Sequence, residues 1–196
     1  MFKMKSTLKP EEAAALIPDG ASVMIGGFMG VGAPYRLIDA LVARGVRDLA
    51  LIANDTFLPG RGIGKLRSAR ACRRITVSHI GLNPEAQAQM NEGHLEVELV
   101  PQGTLVERIR AKGVGLGGVL TPTGLGTSVA EGKQIVQVNG DDFLLEAPIG
   151  ADFTLIAAHQ SDYVGNLEYA LTAQNFNPIM ALAGETVIAE AALLVP

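Results

Sequence analysis

The sequence predicts an α/β fold built on an open, mostly parallel sheet, with one antiparallel hairpin set apart from it. Short apolar runs of strand length alternate with segments whose apolar residues recur at helical spacing. Glycine or proline stands at most of the changes between the two. The pair Asn139-Gly140 separates two further strand-like segments and is typical of a tight hairpin turn. With 196 residues, the chain is long enough for a single domain over residues 1–196 and too short for two.

The composition excludes several classes of protein. Hydrophobic residues make up 48% of the chain and charged residues 18%, which is typical of a globular protein and not of a disordered one. A net charge of −4 provides no basic field that would attract nucleic acid or an acidic membrane, so neither is an expected partner. The one cysteine, Cys72, excludes an internal disulfide and a cysteine-clustered metal site, and no metal is expected. Without a signal peptide or an apolar run of about 20 residues, we expect a soluble cytoplasmic protein.

The first predicted strand, Ser22–Ile25, and the loop behind it form the most informative segment. Four glycines follow this strand within seven residues, and a helix is predicted after Pro34. A strand, a glycine loop and a helix form the usual anion-binding crevice of open α/β sheets. The residues predicted to contact a ligand are Gly26, Gly27, Phe28, Met29, Gly30, Val31 and Gly32. From the residues alone, a strand-to-helix turn without any ligand is an equally good interpretation.

The remaining elements follow in order. A short helix is predicted over residues 9–17, and the helix after Pro34 ends at Arg44-Gly45, a basic residue followed by a glycine cap. The apolar run Leu49–Ala53 is the second strand, which a helical crossover makes parallel to the first. Further strands are predicted at residues 75–78, 96–100, 134–138, 143–146, 153–158 and 186–190, and a further helix at residues 84–92. Residues 96–100 alternate apolar and acidic side chains, which favours a sheet edge or a half-exposed face.

Polar side chains follow two of these strands. Asn54-Asp55-Thr56 comes directly after the second strand, and Gln102 follows the fourth, just before a helix that Thr104 is expected to cap. The carboxyl ends of parallel strands form the edge at which ligands of open α/β sheets bind. The plainer interpretation is an Asx turn for the first group and a surface loop position for Gln102.

Charged residues give weaker signals. Residues 60–74 are glycine-punctuated and basic, which is typical of a solvated helix face but also compatible with phosphate contacts and a lowered pKa for Cys72. The carboxylates of Glu107, Glu131 and Glu146 are expected to be solvated. Gly113, Gly115 and Gly118 have the spacing of a dinucleotide fingerprint, but they follow a helix instead of a strand, so this interpretation is rejected.

The segment around the glycine loop resembles the signature of family I of the 3-oxoacid CoA-transferases. Every fixed position of that signature is matched, by Asp19, Gly20, Val23, Met24, Ile25, Gly26, Gly27, Phe28, Gly32 and Pro34. The string from Pro101 to Leu105 is a second close resemblance. Ala53 departs from the family pattern, which has serine there, whereas Asn54 keeps the amide. The resemblance implies a three-layer fold, in which helices cover both faces of the mostly parallel open sheet. It also indicates that the glycine-rich stretch after residue 113 forms an active-site wall or a subunit contact.

The resemblance also implies a mechanism. Members of the family use a glutamate in a Ser-Glu-Asn-Gly motif, which attacks an acyl-CoA thioester and is converted to a glutamyl-CoA thioester. That motif is absent from this sequence, so no catalytic nucleophile is expected in the chain. The chain is therefore expected to be the α subunit of a hetero-oligomer of the α2β2 type, whose β subunit carries the glutamate. The glycine loop would contact CoA, and Asn54 and Gln102 would support the acyl pocket and the oxyanion. CoA is then a substrate and product, and no permanently bound cofactor is expected.

The loops most resemble those of acetate, butyrate and acetoacetate CoA-transferases, which implies short-chain acyl-CoA and short carboxylic acids as substrates. An α subunit specific for 3-oxoadipate or succinyl-CoA is the alternative within the family. Outside it, related α/β domains include sugar-phosphate isomerases and effector-binding modules, so a non-catalytic domain that binds acyl-CoA or a small ligand stays open. Because family members usually run further than Pro196, the resemblance also implies a truncated C-terminus.

Overall fold

The computed structural model of the protein describes residues 7–196. It contains six α-helices: α1 (Pro10–Ala15), α2 (Tyr35–Arg44), α3 (Gly64–Ser68), α4 (Pro84–Asn91), α5 (Gln102–Gly113) and α6 (Asn177–Ala181). Its ten strands are β1 (Ser22–Ile25), β2 (Leu49–Ala53), β3 (Cys72–Val77), β4 (Glu96–Leu99), β5 (Val119–Thr121), β6 (Ile135–Val138), β7 (Asp141–Glu146), β8 (Ala151–Asp162), β9 (Leu167–Glu168) and β10 (Gly184–Val195). Two short 3₁₀ helices cover Ser128–Ala130 and Leu171–Ala173. In this part of the chain, the helices fall short of the length and apolar character that a membrane span requires.

Seven strands form the main sheet, in the order β10-β8-β1-β2-β3-β4, with β9 added to β8. All the pairs along this path are parallel, and only β9 runs antiparallel to its neighbour. The predicted parallel sheet is confirmed, as is the edge position of residues 96–100 in β4. Strand β1 lies between β2 and β8, so the chain leaves it towards one side of the sheet and later returns on the other. This is a topological switch point, where a crevice opens at the carboxyl ends of the strands.

Helices cover both faces of this sheet, which confirms the three layers. Val23 and Ile25 of β1 pack on one face, in a cluster that includes Ile38 and Leu41 of α2. Met24 points to the other face, into a cluster that includes Leu105 and Ile109 of α5 and Met180 of α6. Successive side chains of a strand point to opposite faces, so a strand that is buried on both sides reads as one continuous apolar run.

The helix ends show where local sequence rules hold and where one fails. Gly45 ends α2 in the left-handed conformation, with φ of 72°, and Asn83 caps α4 by accepting a hydrogen bond from the N–H of Ala86. The prediction that Thr104 caps α5 is wrong. Pro101, with φ of −50° and ψ of 133°, leads the chain directly into a helix that begins at Gln102. Thr104 is therefore buried within the first turn of α5.

The excursion from the parallel sheet is a three-stranded antiparallel sheet in the order β5-β7-β6. Asn139 and Gly140 join β6 to β7 with φ of 53° and 93°, so the predicted hairpin is confirmed. The prediction of a solvated Glu146 is wrong, because this residue is only 2% exposed. Its carboxylate accepts a 2.6 Å hydrogen bond from Lys133 Nζ and lies 3.9 Å from Arg108 Nε, and these two cations compensate its burial.

The basic stretch from residue 60 to 74 is only partly the solvated face that its sequence predicts. Arg61, Arg70 and Arg73 are exposed, but Arg67 of α3 is fully buried and faces α4. Its guanidinium donates a 2.7 Å hydrogen bond to Gln89 Oε1 and two longer ones to the carbonyl of Cys72. The lowered pKa suggested for Cys72 is wrong. Burial raises the pKa of this thiol to about 11, and the attraction of Arg67 offsets only part of that shift.

Candidate active site at the carboxyl edge of the sheet

The glycine loop leaves β1 at the switch point and folds into a miniature hairpin. Phe28 and Val31 bond to each other twice, with N–H to carbonyl distances of 3.0 and 2.9 Å. Met29 and Gly30 form the turn between them, with φ of 47° and 83°. The N–H groups of Phe28 and Val31 are thus already used inside the loop. Backbone donors left without a protein acceptor among residues 7–196 are those of Gly27, Gly30 and Gly32.

The start of α2 is not the open anion site that the strand, loop and helix pattern predicts. The carboxylate of Glu190, from β10, accepts a 3.0 Å hydrogen bond from the N–H of Leu37 in the first turn of α2. The other carboxylate oxygen accepts a 3.1 Å hydrogen bond from Arg36 Nε. A protein carboxylate therefore occupies the position that an external phosphate would take. Any CoA contact of this segment has to be made by the loop itself.

Three side chains from distant parts of the chain hold the loop in place. Asp55 Oδ2 accepts a 2.8 Å hydrogen bond from the N–H of Met29. The amide of Asn175 donates to the carbonyl of Val31 at 2.9 Å, and the amide of Asn177 donates to the carbonyl of Gly32 at 2.9 Å. Polar side chains after β2 and at the start of α6 thus fix the backbone of the loop.

The glycines of the loop are required by this packing. A Cβ at Gly26 would overlap Oδ1 of Asn177, which is fully buried. A Cβ at Gly30 would lie 2.7 Å from the ring of Phe57 and from the hydroxyl of Tyr35. A packing role alone therefore explains why these positions are glycine. It is compatible with ligand binding, because Phe28, Met29 and Val31 at the tip have exposed side chains.

The two amides predicted from the sequence lie next to each other at the same edge. Gln102, at the start of α5, donates a 2.7 Å hydrogen bond from Nε2 to Asn54 Oδ1. Asn54 in turn donates a 2.7 Å hydrogen bond from Nδ2 to Asp55 Oδ2. A continuous relay therefore joins α5 to the tip of the glycine loop. Gln102 is exposed, whereas Asn54 is only 3% exposed and lies behind it, so Gln102 is the amide that can meet a ligand.

Sequence reasoning missed three residues of this arrangement. Ser78, after β3, donates from Oγ to Asn54 Oδ1 at 3.0 Å, and Asn175 and Asn177 reach back about 145 positions along the chain to the glycine loop. The local signal for these two asparagines was the Asn-Phe-Asn-Pro string at residues 175–178, which runs into α6 and indicates a loop but not its contacts. A cavity of about 560 Å³ between α1, α2 and β10 includes neither the glycine loop nor Asn54 or Gln102.

Comparison with known proteins agrees with this architecture. The family model for coenzyme A transferases matches residues 7–196. The chain belongs to the coenzyme A transferase family. It is 52% identical over 180 residues to the acetate CoA-transferase subunit alpha of Escherichia coli K12, covering 92% of this chain and 82% of that protein. It is 50% identical over 185 residues to the acetoacetyl-CoA:acetate/butyrate CoA transferase alpha subunit of Clostridium acetobutylicum, covering 94% of this chain and 85% of that protein.

A solved structure with the same fold is that of an acyl-CoA transferase from Escherichia coli O157:H7 as a thioester complex with CoA. The TM-score is 0.86 at 22% identity. The match covers 98% of this coenzyme A transferase chain but 43% of the other chain, so the chain spans less than half the length of that protein. At this identity the likeness shows the fold alone.

Proposed function

We propose that this chain is the α subunit of a short-chain acyl-CoA:carboxylate CoA-transferase, a transferase of sulfur-containing groups. Its substrates are acetyl-CoA, acetoacetyl-CoA or butyryl-CoA, together with acids of the acetate type. Membership of the family and 50 to 52% identity to two alpha subunits with such names support this. CoA enters and leaves as substrate and product, and we expect no permanently bound cofactor.

One observation carries the α-subunit part of the proposal: the carboxylate at the site cannot act as a nucleophile. Asp55 is 5% exposed, and its two oxygens accept three hydrogen bonds. Among the described residues, this edge otherwise offers a ligand the free amide atoms of Gln102, three glycine N–H groups, the exposed imidazole of His79 and exposed apolar side chains. These groups can hold an acyl group and an oxyanion, but they include no free carboxylate that could form an acyl anhydride. This supports our assignment of the attacking glutamate to a β subunit, and we propose an assembly of the α2β2 type.

The chemistry assigns a definite task to these groups. The partner's glutamate attacks the thioester carbonyl, and CoA leaves as the thiolate while an acyl-glutamyl anhydride forms. The thiolate then attacks the glutamyl carbonyl, which releases the first acid and leaves a glutamyl-CoA thioester. The carboxylate of the acceptor acid then attacks the glutamyl-CoA thioester, which releases the CoA thiolate and forms a second anhydride. The thiolate attacks the acceptor's carbonyl in this anhydride, so that the new CoA thioester leaves and the glutamate is regenerated. Each attack places negative charge on a carbonyl oxygen, and a neutral donor such as Gln102 stabilises that charge without forming an ion pair with the glutamate.

The test begins with the protein purified from its own host together with whatever binds it. Transfer of CoA from acetoacetyl-CoA to acetate is measured before and after the two chains are separated, and the partner is identified by mass spectrometry. We expect a partner with a Ser-Glu-Asn-Gly segment, and activity that disappears on separation and returns on mixing. Recovery of a homo-oligomer that transfers CoA to no short acid would contradict the proposal. Transfer only to 3-oxoadipate or from succinyl-CoA would mean that the proposed substrates are wrong and that the proposed role as an α subunit stands.

A pair of variants then tests the role of Gln102. Gln102→Ala should lower kcat/KM by about 10² to 10³, the usual cost of losing one oxyanion donor. Gln137→Ala is the matched control, because it removes an exposed amide on β6, far along the chain from the relay. An unchanged kcat/KM in Gln102→Ala would remove Gln102 from the proposed oxyanion site.

A further inference from the structure

The carboxylate of Asp55 links the amide pair to the glycine loop through a single oxygen. We propose that Asp55 is the positioning residue of this site: it sets the direction in which the amides of Asn54 and Gln102 point, and it holds the tip of the glycine loop. Its effect on catalysis rests on the proposed function, whereas its effect on the loop does not.

The direction of the amides follows from what a carboxylate can do. An ionised carboxylate only accepts hydrogen bonds, so Asn54 has to face Asp55 with its NH2 group. The Oδ1 of Asn54 then points the other way, where it accepts from Gln102 Nε2 at 2.7 Å and from Ser78 Oγ at 3.0 Å. Gln102 is thereby turned so that its NH2 group faces inward. Its Oε1 and one remaining N–H are the atoms that a substrate meets.

The loop is held by the same oxygen. Oδ2 of Asp55 accepts from Asn54 Nδ2 at 2.7 Å and from the N–H of Met29 at 2.8 Å. Met29 has a φ of 47°, a conformation that side-chain-bearing residues rarely adopt and that needs support from its surroundings. The other oxygen, Oδ1, accepts from the N–H of Phe57 at 2.8 Å in an Asx turn, which fixes the carboxylate itself. A shift of the loop therefore reaches Gln102 through three successive hydrogen bonds, from Met29 to Asp55, from Asn54 to Asp55 and from Gln102 to Asn54.

The first experiment measures the loop. Asp55→Asn replaces one oxygen by an NH2 group, so it loses either the Asx turn or the pair of bonds to Met29 and Asn54. We expect amide hydrogen exchange of residues 26–33 to become about ten- to a hundredfold faster, the size of one lost charge-assisted hydrogen bond. Asp152→Asn is the matched control, because Oδ2 of Asp152 accepts from the N–H and hydroxyl of Ser22 at the opposite edge of the sheet. Unchanged exchange in Asp55→Asn, or equal acceleration in both variants, would overturn the role in the loop.

The second experiment measures the amides in the assembled enzyme. Asp55→Asn should lower kcat about ten- to a hundredfold in the wild type but hardly at all when Gln102→Ala is already present, since the effect passes through Gln102. Purely structural damage would instead lower kcat by the same factor in both backgrounds, which would overturn the proposal.

A variant on the exposed side of the relay covers the case in which Asp55→Asn fails to fold. Gln102→Glu places a carboxylate oxygen against Asn54 Oδ1, if Asp55 directs that oxygen outward as proposed. We expect a loss of kcat at least as large as that in Gln102→Ala. Retained activity would mean that Asn54 presents its NH2 group to position 102, contrary to the proposal. Should the wild-type assembly transfer no CoA, the proposed function fails, and the exchange experiment on the purified protein still decides the role of Asp55 in the loop.

Discussion

Two glycine-rich segments of the chain use the same residue for different reasons. In the loop at residues 26–32, a Cβ on any of the four glycines would come within 3.2 Å of another part of the protein. In the segment at residues 113–126, which leads from α5 into the small sheet, Gly115, Gly117 and Gly126 have open space around the position of a Cβ. Gly115 and Gly126 serve there only for their positive φ, of 76° and 71°.

The difference lies in what converges on each segment. Asp55 and the pair Asn175 and Asn177 reach the first segment from two other places in the chain and bond to its backbone. In the second segment, Gly113 packs on Leu182, Gly118 on the backbone of Glu146 and Gly124 on Val129, but the side-chain bonds to its backbone are local, such as the one from the hydroxyl of Thr127 to the carbonyl of Gly124. A high glycine content therefore does not by itself indicate a functional loop. Polar side chains that converge on its backbone are the better indication.

The strongest test of this comparison is Gly26→Ala. The new methyl group would overlap Oδ1 of Asn177, which is fully buried and bonded to the N–H of Ala157, so it cannot move aside without losing that bond. We expect the free energy of unfolding to fall by about 2 to 4 kcal/mol, from overpacking together with a lost hydrogen bond. Urea denaturation measures it. A change below about 1 kcal/mol would show that the loop is not tightly enclosed.

The second test concerns the ionic anchor of the small sheet. Glu146→Gln leaves Lys133 and Arg108 without their buried partner. Because Lys133 is 26% exposed and can reach water, we expect a loss of about 2 to 3 kcal/mol, below the 3 to 5 kcal/mol typical of fully buried pairs. Glu131→Gln is the control, since Glu131 is exposed and should change stability by less than about 0.5 kcal/mol. Equal effects of the two variants would mean that the burial of Glu146 contributes nothing.

The wrong prediction of a solvated Glu146 shows which kinds of structural feature can be predicted from the sequence and which cannot. Most of the longer strands and helices were predictable because apolar periodicity is local, whereas the short elements β5, β9 and α6 were not predicted. The relay could be placed at one edge because Asn54 and Gln102 follow parallel strands. The burial of Arg67 and Glu146 was not predictable, since each depends on partners such as Gln89 or Lys133 in other elements. The contacts of Asn175 and Asn177 with the glycine loop were missed for the same reason. The prediction that Thr104 caps α5 was wrong because the helix begins at Gln102, directly after Pro101, so Thr104 already lies inside it.

A smaller, pH-dependent effect tests the ion pairs that Glu98 of β4 forms with Arg74 and Arg108. Burial would raise the pKa of Glu98, but hydrogen bonds from Arg108 and Arg74 outweigh this and lower it. A lowered folded-state pKa means that the stabilisation is present above the unfolded value near 4.5 and is lost as the pH falls through the folded value. Glu98→Gln should therefore lower stability by about 1 kcal/mol at pH 7, and the difference from wild type should vanish in acid. A difference that is constant down to the acid limit would contradict this assignment.

The smallest expected effect completes the comparison with Gly26→Ala. Gly117 has open space around its Cβ position and no positive φ, so alanine fits without strain. Because alanine also restricts the unfolded chain, Gly117→Ala should leave the free energy of unfolding unchanged or raise it by up to about 1 kcal/mol. The same urea titration that is used for Gly26→Ala measures it, and the difference between the two variants reports enclosure, since the chemical change is identical. A loss of more than about 1 kcal/mol would mean that Gly117 is enclosed as well, and it would then no longer serve as the open counterpart of Gly26.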